Sequence, residues 1–245
     1  MAIVIGDLHG DLEKTKAFIA YKPKEKHVAL GDYVDSFFVR PEQQIEALKL
    51  LLASNCVLLW GNHDLQYLPQ RPWICSGYQE KEAYLYCHLF APALENNRLK
   101  AAYAADGWLC THAGVSPEIA DLIPREYHNP EAAADWLNAD FERTRLIPQD
   151  KPPRKGYPKF CGTGPIYNIA RTRGGNDEFG GIFWFDTHHE GVPPSPLVGK
   201  QLFGHTERSE PQGVSGEWWN LDATNSIFCW IYDTTKDQPE CIPYL

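Results

Sequence analysis

The segment Gly6-Asp7-Leu8-His9-Gly10 decides how this sequence folds, because it follows directly on the short apolar run Ala2-Ile3-Val4-Ile5. An apolar run that ends abruptly in glycine and polar residues is typical of a buried strand that opens into a loop. Asp11 then offers an N-cap for a helix that continues towards Ala20. The stretch therefore predicts a strand, a loop that carries an aspartate and a histidine, and a helix.

The same pattern occurs twice more along the chain. Residues 27–30 are apolar and end at Gly31-Asp32, after which Pro41 opens a helical stretch. Residues 56–60 are apolar and end at Gly61-Asn62. Strands that alternate with helices require right-handed crossovers, which predict a parallel sheet. In such sheets the ligand site lies beyond the carboxyl ends of the strands, which is where each of these polar turns falls.

The middle of the chain predicts a helical insertion and a hairpin. Residues 66–100 have a helical period and are interpreted as a cap. Its predicted buried positions are Tyr84, Leu85, Leu89, Phe90 and Leu94. A tight turn at Asp106-Gly107 is expected to join two short strands, and the second of these delivers His112.

The rest of the chain predicts a helix, a long loop and a β-rich end. We expect the helix over residues 131–146 and the loop over residues 148–180. The predicted strands are residues 182–185, 201–203, 217–221 and 227–232. Because the sequence has no internal repeat, low-complexity tract or linker, residues 1–245 are expected to form a single domain.

Composition narrows the class of protein. The 245 residues carry 23 Lys and Arg against 32 Asp and Glu, a formal charge of −9, which disfavours nucleic acid as a partner. No apolar run approaches the roughly 20 residues of a membrane-spanning helix, and no signal peptide is predicted. Seven cysteines without a Cys-x-x-Cys pair predict neither a disulfide framework nor a zinc ribbon, and they favour a reduced, cytoplasmic location.

Polar residues suited to metal binding follow the ends of the apolar runs. They are Asp7, His9, Asp32, Asp35, Asn62, His63, Asp64, His112 and His205. Their oxygen and imidazole donors are ligands that first-row divalent metals accept. A single histidine in such a place is usually a surface or packing residue, but so many donors in this order are not expected by chance. The pattern predicts a metal centre.

A pair of metal ions would give these ligands a common chemistry. Two ions about 3.5 to 4 Å apart clamp a phosphoryl group and lower the pKa of a bridging water, so that hydroxide forms near neutral pH. Such a pair needs a bridging carboxylate, and Asp32 stands alone at the end of the second predicted strand. Asp7 and His9 would complete one coordination sphere. The other would be completed by Asn62, His112 and His205.

The order of these motifs resembles that of the calcineurin-like metallophosphoesterases, and within them the phosphoprotein phosphatase branch, which includes bacterial diadenosine tetraphosphatases. The motifs are Gly6-Asp7-Leu8-His9-Gly10, Gly31-Asp32-Tyr33-Val34-Asp35, Gly61-Asn62-His63-Asp64, His112-Ala113-Gly114 and Gly204-His205. Glu207 stands where nuclease-like members often carry a further histidine, and residues 181–186 are similar to the branch's tryptophan-containing strand. The resemblance implies an α/β fold, a four-layer α/β/β/α sandwich with a helical cap insertion.

The resemblance also implies roles. The protein would be a dinuclear-metal phosphoesterase that hydrolyses phosphate monoesters through a metal-bridging hydroxide, in the manner of the Ser/Thr protein phosphatases. The first metal would be held by Asp7, His9 and Asp32, and the second by Asp32, Asn62, His112 and His205. Manganese is expected, with Fe, Zn, Co and Ni as alternatives. The substrate would be a phosphoprotein or a small phosphoester.

His63 and Asp35 would form the acid of the reaction. The resemblance implies that His63 protonates the leaving oxygen while Asp35 orients it and keeps it cationic. The pair also makes physical sense, because a carboxylate neighbour raises the pKa of a histidine and an imidazolium is a competent proton donor near pH 7.

One position departs from the branch and leaves the substrate class open. After Asp35 the branch carries Arg-Gly, whose arginine grips the substrate phosphate, whereas Ser36-Phe37 follow here. The arginines that could supply the missing contact are Arg40, Arg143, Arg171 and Arg173. Two alternatives therefore stay open: a dinucleoside polyphosphate hydrolase, and a metal- and phosphate-binding regulator without turnover.

Overall fold

The structure is a computed structural model that describes residues 1–150, 160–223 and 228–244. Those residues form eleven strands in two sheets, together with six α-helices. The order of the first sheet is β11 (Glu240–Pro243), β10 (Phe228–Asp233), β1 (Ala2–Ile5), β2 (Lys26–Ala29), β3 (Val57–Leu59) and β4 (Leu99–Lys100). Strands β1 to β3 are parallel, as predicted, and β4, which lies in the predicted cap, continues the parallel part. β10 pairs antiparallel with both β1 and β11.

The second sheet has the order β5 (Ala102–Ala105), β6 (Trp108–Thr111), β7 (Lys200–Phe203), β9 (Trp218–Asn220) and β8 (Gln212–Val214). Strands β6, β7 and β9 are parallel, whereas β5 and β8 pair antiparallel at the two edges. The predicted hairpin is confirmed: Asp106 and Gly107 join β5 to β6 with φ of 51° and 79°. Positive φ at both central residues is the geometry of the two-residue turn that matches strand twist.

The two sheets pack face to face between helices. Val4 and Leu59 of the first sheet lie in one buried apolar layer with Cys110 and Leu202 of the second. The helices α1 (Leu12–Ala20) and α2 (Pro41–Ala53) cover the outer face of the first sheet, and α6 (Pro130–Thr144) contacts β5 and β6 of the second. The predicted four-layer α/β/β/α arrangement is therefore confirmed.

Local signals in the sequence set the helix starts. Asp11 is the N-cap of α1, as predicted, and its carboxylate accepts a hydrogen bond from the Lys14 amide at 2.9 Å. Pro41 and Pro130 each occupy the first turn of their helix, where the missing N–H costs nothing. The remaining helices are α3 (Asn62–Leu65), α4 (Ala83–Glu95) and α5 (Pro117–Leu122).

The structure corrects two expectations about the middle and the end of the chain. Within residues 66–100 the α-helix is confined to α4. Tyr84 and Leu85 are exposed, because the buried face of α4 is set by Tyr86 and Phe90. Residues 182–185 form a turn instead of a strand. The amides of Trp184 and Phe185 both donate to the Gly181 carbonyl. The apolar side chains of Ile182, Phe183 and Phe185 are buried, although their backbone pairs with no strand among the described residues.

Two further predicted segments extend beyond the residues that the structure describes. Residues 151–159 of the predicted loop and residue 227 of the last predicted strand lie outside them. That residues 1–245 form a single domain stays a prediction. Among the described residues, no helix combines the length and the apolar character that a membrane crossing requires.

Candidate metal centre and active site

Loops from both sheets meet at one edge of the molecule. Asp7 and His9 follow β1, Asp32 follows β2, Asn62 and His63 follow β3, His112 follows β6, and His205 follows β7. Because these strands are parallel within each sheet, their carboxyl ends share an edge. The structure brings all the predicted metal ligands together there.

Asp7, His9 and Asp32 form the first group that could hold a cation. One donor atom of each lies within 4.8 Å of the others. The Nδ1 atom of His9 lies 2.9 Å from the Val34 carbonyl, which can only accept a hydrogen bond. The proton of neutral His9 therefore sits on Nδ1, and Nε2 turns its lone pair towards the two carboxylates, 3.9 Å from each.

Asp32, His112 and His205 form the second group, and Asp32 belongs to both. The His112 Nδ1 atom lies 2.9 Å from the Leu30 carbonyl, so neutral His112 presents an unprotonated Nε2 to the centre. That nitrogen lies 2.8 Å from Asn62 Oδ1, 3.2 Å from His205 Nδ1 and 3.5 Å from Asp32 Oδ2.

In the second group, the hydrogen-bond acceptor atoms outnumber the N–H hydrogens that could be donated to them. Asn62 donates its amide hydrogen to Cys75 Sγ at 3.4 Å, so its oxygen faces the histidines, 3.0 Å from His205 Nδ1. Neutral imidazoles supply at most one N–H to this triangle of atoms. The His205 Nε2 atom is buried without a hydrogen-bond partner in the described part of the chain. A divalent cation would satisfy the converging acceptors, so the donor set fits a metal.

Burial also shapes the charges of these ligands. It holds the pKa of His205 well below its usual range, and neighbouring imidazoles add to the effect, so this side chain is neutral, as a ligand must be. Burial raises the pKa of Asp7 more than the nearby histidines lower it. The pKa of Asp32 is lowered, because His112, His63 and His9 together outweigh its burial.

Close contacts explain why glycines precede two ligands. A Cβ atom on Gly61 would lie 2.1 Å from Asp32 Oδ1, and one on Gly204 would lie 2.1 Å from Asp7 Oδ1. The same carboxylate oxygens accept hydrogen bonds from the amides of His63 and His205, each at 2.9 Å. Glycine is thus required where the backbone approaches each carboxylate.

Several site residues have backbone conformations that side chains disfavour. The φ angles are 42° at His9, 52° at Asp32, 69° at Asp35 and 73° at His205. Non-glycine residues in this region are uncommon and cluster at functional sites, where the surrounding structure holds them. The loops after the strands are therefore shaped for ligand placement.

Asp64 has a supporting role instead of a ligating one. Its buried carboxylate accepts hydrogen bonds from the backbone amides of Asp32 at 2.8 Å, Tyr33 at 2.9 Å and Gly61 at 3.0 Å. These bonds tie the loop after β2 to the loop after β3. The sequence pattern grouped Asp64 with the ligands, but it could not show this orientation.

His63 and Asp35 are paired. The His63 Nδ1 atom donates to Asp35 Oδ2 at 3.0 Å. Burial opposes the charged imidazole, but the carboxylates of Asp32 and Asp35 raise the pKa of His63 to about 9. The Asp35 carboxylate also accepts hydrogen bonds from the Gln66 amide and the Tyr67 hydroxyl.

Gln66 and Tyr67 escaped the sequence analysis, although a signal existed. They follow His63 by three and four residues, a spacing that places side chains on one face of a helix. Cys75, which contacts Asn62, gave no such signal. Its position depends on how residues 66–83 fold back across the site.

The predicted arginines lie in different surroundings. Arg173 donates to Thr206 Oγ1 at 2.9 Å and forms an ion pair with buried Asp186 at 2.7 Å, next to His205. Arg143 pairs with Asp140 on α6 and lines a separate cavity. Arg40 lines a cavity with Ser36, and Arg171 is exposed. Among the described residues, Arg173 is the candidate whose contacts reach the Asp/His cluster.

Comparisons with known proteins give one family match and several structural matches. A family model described as calcineurin-like phosphoesterase matches residues 2–181. The structure is similar to the crystal structure of a mutant cold-active protein tyrosine phosphatase, with a TM-score of 0.56 and 16% identity over 98% of this chain and 79% of that one. This likeness supports the fold alone.

Two other solved structures match with lower scores. A metallophosphoesterase from Sphaerobacter thermophilus has a TM-score of 0.46 and 13% identity, covering 100% of this chain and 88% of that one. A protein serine/threonine phosphatase from Saccharomyces cerevisiae has a TM-score of 0.42 and 18% identity, covering 94% and 71%. Scores this low carry no argument about this chain.

Proposed function

The chain belongs to the calcineurin-like phosphoesterases, and on that premise we propose that it is a phosphomonoesterase for alkyl esters of the phosphoserine and phosphothreonine kind. Membership makes it a metal-dependent phosphoesterase with a phosphorylated substrate. The class of ester is our proposal. The observation that carries it is the His63–Asp35 pair beside the Asp/His cluster, because alkoxide leaving groups need an acid.

We assign the ligands as the two groups divide them. The first cation would be held by Asp7, His9 and Asp32, and the second by Asp32, Asn62, His112 and His205. When bound, the two ions supply positive charge that polarises a phosphoryl group and lowers the pKa of water. Manganese is our prediction, and the same nitrogen and oxygen donors also suit Fe, Zn, Co and Ni.

His63 would hold and deliver the proton. Its Nδ1–H is engaged by Asp35, which leaves the Nε2–H to protonate the departing oxygen. Gln66 and Tyr67 fix the Asp35 carboxylate and so fix the plane of the imidazole. This support resembles the way a carboxylate orients histidine in other acid–base sites.

Arg173 would bind the phosphate in place of the arginine missing after Asp35. Buried Asp186 holds its guanidinium, and the contact with Thr206 places it next to His205. A guanidinium fixed in this way is suited to planar contact with phosphate oxygens. Arg143 also has a carboxylate partner, Asp140, but it lines a separate cavity. In the described part of the chain, no contact of Arg40 or Arg171 reaches the Asp/His cluster.

The test compares substrates on protein stripped with a chelator and resupplied with Mn²⁺, Co²⁺, Zn²⁺, Ni²⁺ or Mg²⁺ in turn. The substrates are a phosphoserine peptide, p-nitrophenyl phosphate and a dinucleoside tetraphosphate. We expect turnover of the peptide to return with close to two metals per chain. Preference for the dinucleotide would support the alternative hydrolase, and bound metal without any turnover would support a binding protein.

A further inference from the structure

Two adjacent phenylalanines lie on the surface, separated from Asp35 by Ser36 alone. Phe37 and Phe38 are 73% and 97% exposed, although burial of a phenylalanine side chain is strongly favourable. Phe37 stands where the resemblance implies the glycine of Arg-Gly, and Phe38 follows it. Neither packing nor the proposed chemistry of the site accounts for two exposed rings at this point.

The loop that carries these rings is held by a fully buried side chain. The Gln44 amide of α2 donates to the Val39 carbonyl at 2.7 Å and to the Ser36 carbonyl at 3.3 Å. The Ser36 hydroxyl accepts hydrogen bonds from the amides of Phe38 at 3.1 Å and Val39 at 3.0 Å. The rings are thus presented by a turn whose backbone groups are satisfied.

The rings border an open cavity of about 600 Å³. A volume of this size exceeds that of a phosphate group and is in the range of ligand sites. Its charged lining residues are Arg40, Lys81, Glu80 and Glu82, which balance one another. Apolar contact with the rings, and not net charge, would therefore select what binds there.

The cavity adjoins the leaving-group side of the site. A Cβ atom on Gly77 would lie 3.1 Å from Phe37 Cζ and 3.6 Å from the Asp35 carbonyl oxygen, so the ring and this backbone are neighbours. Asp35 in turn holds His63 at 3.0 Å. Phe37 and the rest of the cavity lining therefore lie on the side of the site where Asp35 holds His63.

We propose that Phe37 and Phe38 form a specificity subsite for a large apolar side chain of a phosphopeptide, next to the phosphorylated residue. The inference rests on the proposed function, because the subsite is defined by its position beside His63. The balanced charges of the lining offer a polyphosphate chain no net positive charge, and the exposed rings offer it no favourable contact. A peptide brings apolar side chains on a largely uncharged backbone.

The experiment compares two phosphoserine peptides that differ only in one residue beside the phosphoserine, leucine in one and serine in the other. The ratio of their kcat/KM values is measured with the manganese-loaded chain, with F37S/F38S and with the control L122S, which replaces an exposed leucine on α5. We expect the native protein to favour the leucine peptide by about tenfold. F37S/F38S should bring the ratio close to one, and L122S should leave it unchanged.

The outcomes separate this inference from the proposed function. A native ratio near one, or a tenfold ratio that survives in F37S/F38S, overturns the subsite. If the native protein hydrolyses neither peptide, the proposed function fails. In that case the ratio of the two Kd values, measured by fluorescence anisotropy, decides the subsite. A further outcome is that the native protein self-associates, and that F37S/F38S abolishes this association but leaves the ratio unchanged. The rings would then bind a second copy of the chain, and the subsite would be overturned.

Discussion

The two sides of the site differ in how far they are withdrawn from solvent. On the buried side, which consists of Asn62, His112 and His205, the His112 side chain has no exposed surface. On the open side, which consists of His9 and His63, the His9 side chain is 37% exposed. The difference teaches that imidazoles of the same chemistry have two settings, because the buried side is enclosed within the fold whereas the open side is accessible to solvent.

Hydrogen bonding sharpens the contrast. On the buried side, acceptor atoms of Asn62 and His112 face each other at 2.8 Å and lack protons to share. On the open side, His63 has a partner of opposite charge in Asp35. A cation would satisfy the facing acceptors of the buried side, whereas the His63–Asp35 pair of the open side is satisfied without one.

The largest expected effect is the loss of a ligand on the buried side. H112A should lower metal-dependent turnover on the order of a thousandfold, because it removes a proposed ligand. It also leaves a cavity beside the Asn62 oxygen, which faces the histidine nitrogen in the native protein. H9A should instead raise the metal concentration needed for half-maximal turnover by about ten- to a hundredfold. Metal titrations of both variants check this, and equal losses in the two would break the comparison.

The acid on the open side gives the next effect. H63N should slow hydrolysis of an alkyl phosphate on the order of a hundredfold and slow an aryl phosphate with a good leaving group much less, because only the poor leaving group needs the proton. Metal content, measured on the same sample, should stay unchanged. The control is H128N, since His128 bonds the Ile123 carbonyl on another part of the surface. Equal losses for both esters would refute the acid role.

Arg173 tests whether phosphate is also bound from the buried side. R173A should raise the KM for a phosphopeptide and the inhibition constant of inorganic phosphate by about tenfold, the worth of a charge-assisted hydrogen bond. Arg143 is the matched control, because it forms an ion pair with Asp140 on α6. If R143A matches R173A, the phosphate contact lies elsewhere.

The smallest effect concerns a buried carboxylate that needs no metal. Burial opposes the charge of Asp233, but hydrogen bonds from Lys22 and Thr235 lower its pKa to about 2. A depressed pKa stabilises the fold above the unfolded value, and this stability is lost as pH falls towards 2. D233N should lower the free energy of unfolding by about 1 kcal/mol at pH 7. It should also reduce the amount of stability that is lost between about pH 4 and 2.

Thermal unfolding across this pH range measures the effect. T235V removes one of the hydrogen bonds and keeps the carboxylate, so it should reduce the pH dependence only in part. If D233N and the native protein lose stability in parallel below pH 4, the ion pair is not the cause. The acid sensitivity would then belong to another carboxylate whose pKa is lowered, such as Asp32. The difference between carboxylates at the Asp/His cluster and the lysine-paired Asp233 would then be smaller.

The clustering of the proposed ligands could be predicted because each follows a strand, so local sequence carries the signal. Asp7, Asp32 and Asn62 stand directly after glycines that end apolar runs, and the parallel sheet brings those ends together. The caps of α1 and α6 are equally local. By contrast, the strand predicted at residues 182–185 was wrong. These apolar residues are buried in a turn that pairs with no described strand, and their sequence pattern is the same as that of a buried strand.

Contacts between distant segments could not be predicted in the same way. Nothing near Arg173 in the sequence distinguishes it from Arg171, since its partners Asp186 and Thr206 come from later loops. The exposure of Tyr84 likewise depends on which face of α4 meets α2. Packing between segments that are far apart in the chain decides which arginine is paired and which tyrosine is exposed. A single sequence reveals such packing only where a recognisable motif marks it.

The distance along the chain between Asp7 and His205 bears on how the protein is made. The two residues are 198 positions apart, and the His205 amide bonds Asp7 directly. At about 5 to 20 residues per second, a ribosome needs about 10 to 40 s to deliver the second partner after the first. β1 meets its antiparallel neighbour β10 later still. The loop after β1 therefore remains without this partner until the loop after β7 has been synthesised.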